Sequence, residues 1–558
     1  MQALDTHDVF NQFDELTDIN LLQVDTALQE VLQRQQAQGF APALSRFAQQ
    51  LGEKQNWEHA ELANRHTPEL QRFDARGRVL DAVEFHPSWH RLMELYREQG
   101  LVSLPFESPS CGRWSAWAAG FYLHGQVEQG TLCPATMTTA AIPVLQKEPL
   151  LWSQLQAQLF SHEYDARDLP LSQKKSIWIG MGMTEKQGGS DVRANTTVAR
   201  PVHEGCRGGE YLLRGHKWFF SAPMCDAHLV VARMATASGE LGGHACFFVP
   251  RWRPDGSKNP VRVQRLKDKV GNRSNSSSEV ELQDAWGILM GEEGRGIPTI
   301  IEMASYTRLN CVLGSAAILR SATVQSIAYA RQRSAFGRHL ADQPLMATVL
   351  ADLALESEAS MQLAMHLAQA YELEAEGDLQ ARAWKRIMTP AAKFWVCKRS
   401  VEITGEAMEV FGGNGYVQDS IVARLFREAP VNSIWEGSGN VMCLDVLRAM
   451  GREPEATRLL LQDLGDMAAD QPLLAAMAQS LARRLSAPPD ALEPQARRLV
   501  QDLCLLAQAC LMHRHAPAAM ANGFIHTRLG AQGGAMVVGA FDPAGLDIAA
   551  ILERALPA

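Results

Sequence analysis

The sequence predicts an α+β protein in which a β region separates two helical regions. Apolar residues recur at helical spacing through about the first 175 residues and again from Gly296 onward. Between them, from Trp178 to about Leu289, short apolar runs and strict alternation show the two-residue period of strands. A chain of 558 residues is too long for a single core, so several packed domains are expected.

The first expected domain, residues 1–175, is helical. Asp25 can cap a helix whose Leu28, Val31 and Leu32 share one face. The same apolar spacing recurs in later segments, so we extend the helical prediction to the end of this region.

The second expected domain, residues 176–290, is a β domain. The apolar or alternating runs are Tyr211–Leu213, Leu229–Val231, Cys246–Val249, Val261–Val263 and Val280–Leu282. Glycine, proline and charged residues separate them, and Gly205–Gly209 has the composition of a hairpin loop.

Two helical domains are expected after the β domain. In residues 291–447 the side chains that form an amphipathic stripe are Met346, Val349, Leu350 and Leu353. Beyond Gly451 prolines break up Ala- and Leu-rich segments, so residues 448–558 are expected to form an extra helical domain. We expect this last domain to become irregular within Gly530–Gly545.

The composition is that of an ordinary globular protein, with 46% apolar and 21% charged residues. The N-terminus has no secretion signal, and no apolar window looks long enough to cross a bilayer. The ten cysteines are scattered singly, which favours reduced thiols in a cytoplasmic protein and no metal site. Because the net charge of −9 repels nucleic acid, any nucleic-acid surface must be a local patch.

The segment Met181–Asp191 stands at the start of the β region and carries polar groups around a pair of glycines. Thr184 and Ser190 offer hydroxyl donors, and the glycines let a ligand approach the backbone closely. A loop of this kind suits a polar ring or a phosphate. A capped loop without a ligand is the alternative interpretation.

Three further segments combine aromatic, glycine and acidic residues. Gly215–Ser221 places aromatics before a hydroxyl, although aromatics at such positions more often belong to a core. Phe411–Gly415 follows a long helix and not a strand, so it predicts a helix-terminal turn. In Ile434–Asn440, Glu436 beside Trp435 could act as a base if it is desolvated; a solvated loop glutamate is the alternative.

Together and in this order, the motifs resemble the acyl-CoA dehydrogenase superfamily. The family pattern is carried by Thr184–Asp191, Arg333–Gly337, Phe411–Gly415 and Trp435–Ser438. The resemblance implies the acyl-CoA dehydrogenase fold, with an N-terminal helical domain, a middle β domain and a C-terminal four-helix bundle. It also implies FAD as the cofactor.

The resemblance assigns flavin contacts to the β region and to the second helical region. In the β region the implied contacts are Met181, Gly182, Met183, Thr184, Gly189, Ser190, Phe219, Phe220 and Ser221. In the helical region they are Arg333, Phe336, Glu409, Gly412, Gly413, Ile434, Trp435, Gly437, Ser438, Gly439 and Asn440. Arg333, Phe336 and the turn at Glu409–Gly413 are implied to reach the FAD of a neighbouring subunit.

Glu436 falls on the family's usual catalytic base, which removes an α-proton from an acyl-CoA. Some members carry the base just before an arginine that opens a helix. Here Thr307 stands before Arg308, so Glu436 is the only candidate. An α-proton is too weak an acid for a carboxylate in water, so the site must be dry and the thioester carbonyl hydrogen-bonded.

Finer details resemble the alkylation-response branch of the family. Lys186 replaces the proline of most members, and Leu266–Asn275, the arm at His7–Phe13 and the extra C-terminal domain match this branch. The resemblance implies a homotetramer, a dimer of dimers, that binds the phosphates of double-stranded DNA without sequence preference and takes part in protection from or repair of alkylation. The alternative is a metabolic dehydrogenase for a short branched acyl-CoA such as isovaleryl-CoA.

The candidate DNA contacts are arginines of the last domain. Beyond Asp445 the chain contains ten arginines and eleven acidic residues, so this region is nearly neutral and is not a bulk basic tail. Arginine's planar fork nevertheless suits phosphate well. The candidates are Arg448, which ranks first, and Arg497, Arg498 and Arg528.

Arg497 and Arg498 have a further argument in their favour. Pro494 is expected to open a helix, which places both arginines in its first turn, where cations oppose the helix dipole. Free N–H groups of that turn could join the two side chains on one anion. Two solvated arginines are the alternative.

Overall fold

The computed structural model describes residues 6–107, 109–203, 205–235, 239–530 and 537–557. Their contacts divide the chain into two compact units. The helical unit contains Met1–Trp57, Ser110–Val127 and Cys311–Ala558, and the β unit contains Glu58–Pro109 and Glu128–Asn310. Helices precede and follow a strand-rich middle, so the α+β prediction is confirmed. The division into four domains stays a prediction.

The region before the large sheet is mainly helical. Its helices are α1 (Thr26–Arg34), α2 (Ala41–Gly52), α3 (Lys54–Arg65), α4 (Pro87–Glu98), α5 (Leu104–Glu107), α6 (Arg113–Val127), α7 (Leu132–Leu145) and α8 (Pro149–Phe160). Asp25 caps α1 as predicted, because its Oδ1 accepts a hydrogen bond from Leu28 N at 3.0 Å. The predicted face of Leu28, Val31 and Leu32 is buried.

A β-hairpin interrupts this helical region, which the apolar spacing did not predict. β1 (Glu69–Phe73) pairs antiparallel with β2 (Val79–Glu84). The turn explains the hairpin: Asp74 Oδ1 accepts hydrogen bonds from Arg76 N and Arg78 N, and Gly77 adopts a φ of 75°. Local turn chemistry of this kind outweighs a helical pattern.

The β region forms a sheet that closes on itself. Its strands are β3 (Ile179–Gly182), β4 (Val198–Pro201), β5 (Glu210–Ser221), β6 (Ala227–Ala235), β7 (Leu241–Pro250), β8 (Val261–Leu266) and β9 (Ser277–Met290). The pairings run β6–β4–β5–β9–β7 and return to β6, while β3 and β8 extend the sheet at β6 and β9. Gly205–Gly209 connects the antiparallel β4 and β5, as expected of a hairpin loop.

Side chains from alternate positions fill the inside of this small barrel. The buried cluster consists of Ala199, Tyr211, Leu213, Phe220, Val230, Ala232, Ala245, Phe247, Val249, Val263, Val280, Leu282, Ala285 and Leu289. Half of these positions are β-branched or aromatic, the residue types that favour strands, and alanine and leucine occupy the rest. The barrel is therefore a rigid support for the loops that leave it.

Helices follow to the end of the chain. They are α9 (Gly296–Gln332), α10 (Pro344–Ala375), α11 (Leu379–Ala383), α12 (Thr389–Val410), α13 (Ile421–Ile434), α14 (Gly439–Arg452), α15 (Pro454–Ala468), α16 (Pro472–Leu485), α17 (Pro489–Leu492), α18 (Ala496–His515), α19 (Ala518–Leu529) and α20 (Ile548–Ala555). A short hairpin, β10 (Ser334–Ala335) with β11 (Arg338–His339), separates α9 from α10. The expected irregular stretch Gly530–Gly545 lies partly outside the described residues.

Two details of the sequence interpretation change. α9 is long and apolar enough to cross a membrane, so the expectation that no such window exists is wrong on length and composition. Its most apolar stretch is completely buried in the protein, as in a core helix. Pro494 lies in a 3-10 turn, Glu493–Gln495, and α18 begins at Ala496, although Arg497 and Arg498 still occupy its first turn.

All ten cysteines lie in the described part of the chain, and none is paired there. The reduced state stays a prediction. Cys111 and Cys206 are exposed and the other eight are buried. Within the described residues, no three histidine, cysteine or acidic side chains are grouped so that they could hold a metal ion.

Candidate functional site

The first motif begins in β3 and continues as a loop of the β unit. A Cβ at Gly182 would lie 2.8 Å from the Phe220 ring, and one at Gly189 would lie 2.7 Å from Thr184 Oγ1. Both glycines are therefore needed for packing within the chain. Met181, Met183 and Thr184 are half-buried and Ser190 is exposed, so these four keep surface that a ligand could contact.

A buried ion pair between Glu185 of this loop and Lys217 of β5 anchors the loop to the barrel. Lys217 Nζ lies 2.8 Å from Glu185 Oε1, and neither side chain is exposed. Glu185 also accepts hydrogen bonds from Thr196 N and Thr197 N, at 2.7 and 3.1 Å. Lys217 Nζ donates to the Val231 carbonyl at 2.8 Å. All charges and donors of the pair are thus satisfied inside the chain, which fixes the loop against the barrel.

The pair also changes how its members titrate. Burial lowers the pKa of Lys217 to about 8, against the opposing attraction of Glu185. Although burial acts to raise it, the pKa of Glu185 lies well below its usual range because of Lys217 and the hydrogen bonds from Thr196 and Thr197. The sequence interpretation missed both residues, because a lone lysine and a lone glutamate give no signal until the fold brings them together.

The pleat of β5 separates the three residues that end the second motif. Phe219 is 51% exposed and Ser221 is half-buried. Phe220 is 1% exposed and stacks on His228, with ring centroids 3.8 Å apart. Successive side chains of a strand point to opposite faces, so Phe220 belongs to the barrel core and is not open to a ligand. The expected flavin contact at Phe220 is corrected on this ground.

A basic cavity of about 350 Å³ lies near the exposed face of β5. It is lined by Thr67, Pro68, Leu266, Lys267, Asp268, Lys269, Arg273, Asn275 and Ser276. Lys267 Nζ lies 3.7 Å from the Trp218 ring centroid and 4.5 Å from that of Phe219. Arg273 Nε is buried and makes no hydrogen bond within the described chain. Cations beside an aromatic wall suit a ligand with a planar ring and negative charge.

In the helical unit, Glu436 lies on the short loop between α13 and α14. Its φ is 59°, and that of Gly437 is 113°, so two successive residues adopt left-handed backbone. Such a conformation costs about 1–3 kcal/mol for a residue other than glycine. The Trp435 ring is held by its Nε1, which donates to Asn432 Oδ1 at 3.1 Å. Glu436 itself is half-buried.

A buried lysine supports this loop from α12. Lys393 is 1% exposed, and its ammonium donates to the carbonyl of Gly437. The buried Cys311 lies within the influence of both charges: burial raises the pKa of its thiol, Lys393 acts to lower it and Glu436 acts to raise it. Lys393 thus contacts the loop at Gly437, the residue that follows Glu436. Thr307 lies well inside α9, where its hydroxyl donates to the Ala304 carbonyl, and offers no carboxylate.

Two further cations face the first turn of α14. A Cβ at Gly439 would lie 2.9 Å from Lys398 Cε, so this glycine permits close passage of the lysine. Arg497 Nη1 donates to Asn440 Oδ1 at 3.4 Å, and its guanidinium lies 5.5 Å from the Phe394 ring centroid. The structure thus brings a predicted DNA contact, Arg497, to a predicted flavin contact, Asn440. Ser438 occupies the N-cap position of α14 without a capping hydrogen bond from its side chain, and Ile434 is 65% exposed.

The hairpin that carries Arg333 and Phe336 is strained and exposed. Phe336 has a φ of 52° and is 98% exposed, and Gly337 has a φ of 81°. Two successive positive φ values define a tight hairpin turn, but a phenylalanine rarely occupies the first position. An exposed aromatic on strained backbone indicates a residue kept for contact with another molecule.

The turn after α12 is exposed at its tip and packed at its base. Phe411 stacks on Tyr329 with ring centroids 4.2 Å apart. Gly412 has a φ of 60°, and it, Gly413 and Glu409 are exposed. The helix-terminal turn predicted for this motif is confirmed.

The candidate DNA contacts separate into exposed and buried arginines. Arg448 is 55% exposed with Nη1 4.0 Å from Asp445 Oδ1, and Arg497 and Arg498 are exposed. The Arg528 side chain is only 8% exposed, because it is held 2.5 Å from Asp352 and 3.1 Å from Glu356. The expectation that Arg528 contacts a phosphate is corrected for this structure, since its charge is already compensated.

Three sequence families match the chain along its length. The adaptive response protein AidB N-terminal domain matches residues 11–166, the acyl-CoA dehydrogenase middle domain matches residues 180–285, and the acyl-CoA dehydrogenase C-terminal domain matches residues 294–451. The chain is 45% identical over 531 residues, 95% of each sequence, to "Putative acyl-CoA dehydrogenase AidB" of Escherichia coli strain K12.

Solved structures resemble it as well. ACDH-11 of Caenorhabditis elegans in complex with C11-CoA has a TM-score of 0.84 and 26% identity, covering 93% of both chains. An acyl-CoA dehydrogenase complexed with FAD from Bacillus anthracis has a TM-score of 0.60 at 18% identity, over 80% of this chain and 78% of the other, which shows the fold alone.

Proposed function

This chain belongs to the acyl-CoA dehydrogenase family, on its AidB branch, and from that premise we propose an FAD flavoprotein that binds double-stranded DNA and acts in protection from or repair of DNA alkylation. The predicted fold and the predicted branch are confirmed by the matches along the chain. The activity, the DNA partner, the cytoplasmic location and the homotetramer are proposals. The 45% identity across 95% of both sequences carries them.

FAD, the cofactor of this family, fits the residues present. Exposed Phe219 and half-buried Met183 and Thr184 offer apolar and hydroxyl surface. Lys267, whose Nζ lies 4.5 Å from the Phe219 ring centroid, lines the basic cavity that also contains the unpaired Nε of Arg273. In the β unit, the residues proposed to contact the cofactor are Met181, Met183, Thr184, Ser190, Phe219 and Ser221. In the helical unit, the loop at Trp435–Asn440 is proposed as a contact, and Arg333 and Phe336 are proposed to reach the FAD of a neighbouring subunit. Bound FAD supplies an acceptor for two electrons.

Glu436 is the proposed base of the dehydrogenase-type reaction. Two left-handed residues and the Lys393 contact to Gly437 fix the backbone of the loop that carries this carboxylate. Half-burial beside Trp435 limits water at the carboxylate, which favours proton removal from carbon. Glu436 therefore holds the α-proton of an acyl-CoA at its carboxylate oxygen.

This placement also supports the second candidate function, a metabolic dehydrogenase for a short branched acyl-CoA such as isovaleryl-CoA. Anaerobic addition of isovaleryl-CoA to the holoprotein should then bleach the oxidised flavin absorbance within seconds, and Glu436→Gln should abolish the bleaching. Glu455→Gln is the matched control, because Glu455 is 68% exposed on the surface of α15. A flavin that stays oxidised across a panel of acyl-CoAs, including a C11 chain, removes this candidate.

The exposed arginines support the DNA proposal. Arg497 contacts Asn440 in the first turn of α14, and Arg448 is exposed near the end of the same helix. Contacts of arginines with the DNA backbone neutralise phosphates and read no sequence.

Titration of a labelled random duplex with the holoprotein at several salt concentrations tests this proposal. The affinity should fall steeply with salt, and Arg448→Ala should make the log–log slope shallower by about one unit. Arg458→Ala is the control, because this arginine is 59% exposed but paired with Glu455 at 2.7 Å. Absence of binding at low salt would contradict the proposal and leave the dehydrogenase candidate.

Exposed apolar side chains of the helical unit support the proposed oligomer. Phe10, Phe336, Leu345 and Tyr416 are 83%, 98%, 78% and 81% exposed. Apolar exposure of this size indicates surface that another chain covers. Sedimentation of the wild type and of Phe336→Ser tests it, with a tetramer expected for the first and partial dissociation for the second.

A further inference from the structure

Asn11 pairs with the hairpin that carries Arg333 and Phe336. Its Nδ2 donates to the Ser334 carbonyl at 2.8 Å, and its Oδ1 accepts from Ser334 N at 2.8 Å. The side-chain amide thus pairs with Ser334 in the way a neighbouring strand would. The guanidinium of Arg333 donates to the Asn11 carbonyl. Asn11 has a φ of 57°, a conformation that asparagine adopts more readily than most residues.

The residues that follow Asn11 reach three further segments of the helical unit. Gln12 Oε1 accepts from Asn414 Nδ2 at 3.0 Å, in the turn after α12. Glu15 Oε1 accepts from Ile421 N at 2.6 Å, at the start of α13. Leu16 exchanges two hydrogen bonds with the Gln325 side chain of α9, both at 2.9 Å. We call residues 11–16 the strap.

The hairpin needs support of this kind. Its strands have two residues each, and an isolated two-stranded hairpin is at best marginally stable in water. Its turn also contains Phe336 in a left-handed conformation that costs free energy. The surroundings must therefore hold the hairpin in this shape. The strap does so through hydrogen bonds between Asn11 and the residues Arg333 and Ser334.

We propose that the strap positions the Arg333–Gly337 hairpin and the Phe411–Gly415 turn for cofactor binding, and that Asn11 is a positioning residue of the flavin site. The inference rests on the proposed FAD function and on the flavin contacts proposed for these two segments. Arg333 gives one of its five N–H donors to Asn11, so donors remain for a ligand. A hairpin fixed in advance loses less entropy when it binds, which raises affinity.

Asn11→Gly tests the proposal, because glycine accepts the positive φ and removes only the side chain. Apoprotein reconstituted with FAD should show a dissociation constant about tenfold above wild type, as expected from loss of two hydrogen bonds. Asn11→Asp keeps the acceptor for Ser334 N, so its dissociation constant should lie between those of wild type and Asn11→Gly. Asp14→Ala is the matched control, because Asp14 is an exposed strap residue, and its constant should equal that of wild type.

A second measurement separates positioning from general support of the fold. Arg333→Ala and the double variant Asn11→Gly/Arg333→Ala complete a cycle, and we expect the two losses of FAD affinity to be non-additive because Asn11 acts through the hairpin. Gln12→Ala, which removes one exposed contact, should give a smaller loss without change in the thermal unfolding of the apoprotein. A constant for Asn11→Gly within twofold of wild type, or strict additivity, overturns the proposal. Wild-type apoprotein that binds no FAD overturns the proposed function itself.

Discussion

Arginines of the C-terminal region occupy two opposite environments. Arg528 and Arg554 are 8% and 9% exposed and lie against carboxylates. Arg448 is 55% exposed and Arg498 is exposed, and the contact of Arg448 with Asp445 is a long 4.0 Å. The same residue type therefore holds the protein together in one place and leaves its charge available in the other.

The difference originates in α10, which carries carboxylates on its buried side. Asp352 and Glu356 face Arg528, and Glu358 faces Arg554, which also contacts Glu30 at 2.6 Å. A buried charge without a partner is costly, so these carboxylates require cations from elsewhere. Helices α19 and α20 supply them. By contrast, Arg448 stays 55% exposed although Asp445, itself 13% exposed, lies 4.0 Å away.

Arg528→Ala should have the largest effect. It leaves Asp352 and Glu356 buried without this cation, so the free energy of unfolding should fall by about 3 kcal/mol. Urea unfolding of the holoprotein measures the change. A loss below about 0.5 kcal/mol, the ordinary range for a surface substitution, would contradict the structural role of Arg528.

The loss in the free energy of unfolding caused by Arg528→Ala, called the deficit below, should depend on pH. Although burial acts to raise it, the pKa of Glu356 lies below its ordinary value because of Arg399 and Arg528. The stabilisation that ionised Glu356 provides is complete above its unfolded-state pKa of about 4.3. It is lost as the pH falls through the pKa of Glu356 in the folded protein.

In the variant only Arg399 remains to oppose burial, so the pKa of Glu356 should rise and its protonation at lower pH should reduce the penalty. The deficit should therefore be largest near pH 7 and should shrink by about 1–2 kcal/mol toward pH 4. Unfolding of both proteins at the two pH values is the measurement. An unchanged deficit would show that packing of the Arg528 side chain, and not its charge, carries the effect.

Arg498→Ala should show the reverse behaviour. Stability should stay within about 0.5 kcal/mol, while duplex DNA should bind about three- to tenfold more weakly at low salt. Equal loss of DNA binding in Arg528→Ala, measured where that variant is still folded, would contradict the division into structural and available arginines.

Arg458→Ala should have the smallest effect. This arginine is 59% exposed and pairs with Glu455 at 2.7 Å on the surface of α15. Exposed pairs contribute little, so neither unfolding nor the salt dependence of DNA binding should change measurably. A clear loss of DNA binding would show that the proposed DNA-binding surface includes α15.

The sequence was informative where a pattern is local. The cap at Asp25, the loop at Gly205–Gly209 and the turn at Phe411–Gly415 follow from neighbouring residues, and each was predicted. Phe220 and Arg528 were misassigned because their environment depends on the strand pleat and on α10, far along the chain. The Glu185–Lys217 pair and the Lys393 contact to Gly437 join residues 32 and 44 positions apart, and neither has a motif.

The left-handed conformation of Glu436 has a consequence for the evolution of this chain. Glycine at position 436 would relieve the backbone strain, worth about 1 kcal/mol or more. The same change would delete the carboxylate. Glutamate at position 436 therefore sets stability against the activity proposed for it, so selection for stability and selection for the proposed base favour different residues at one site.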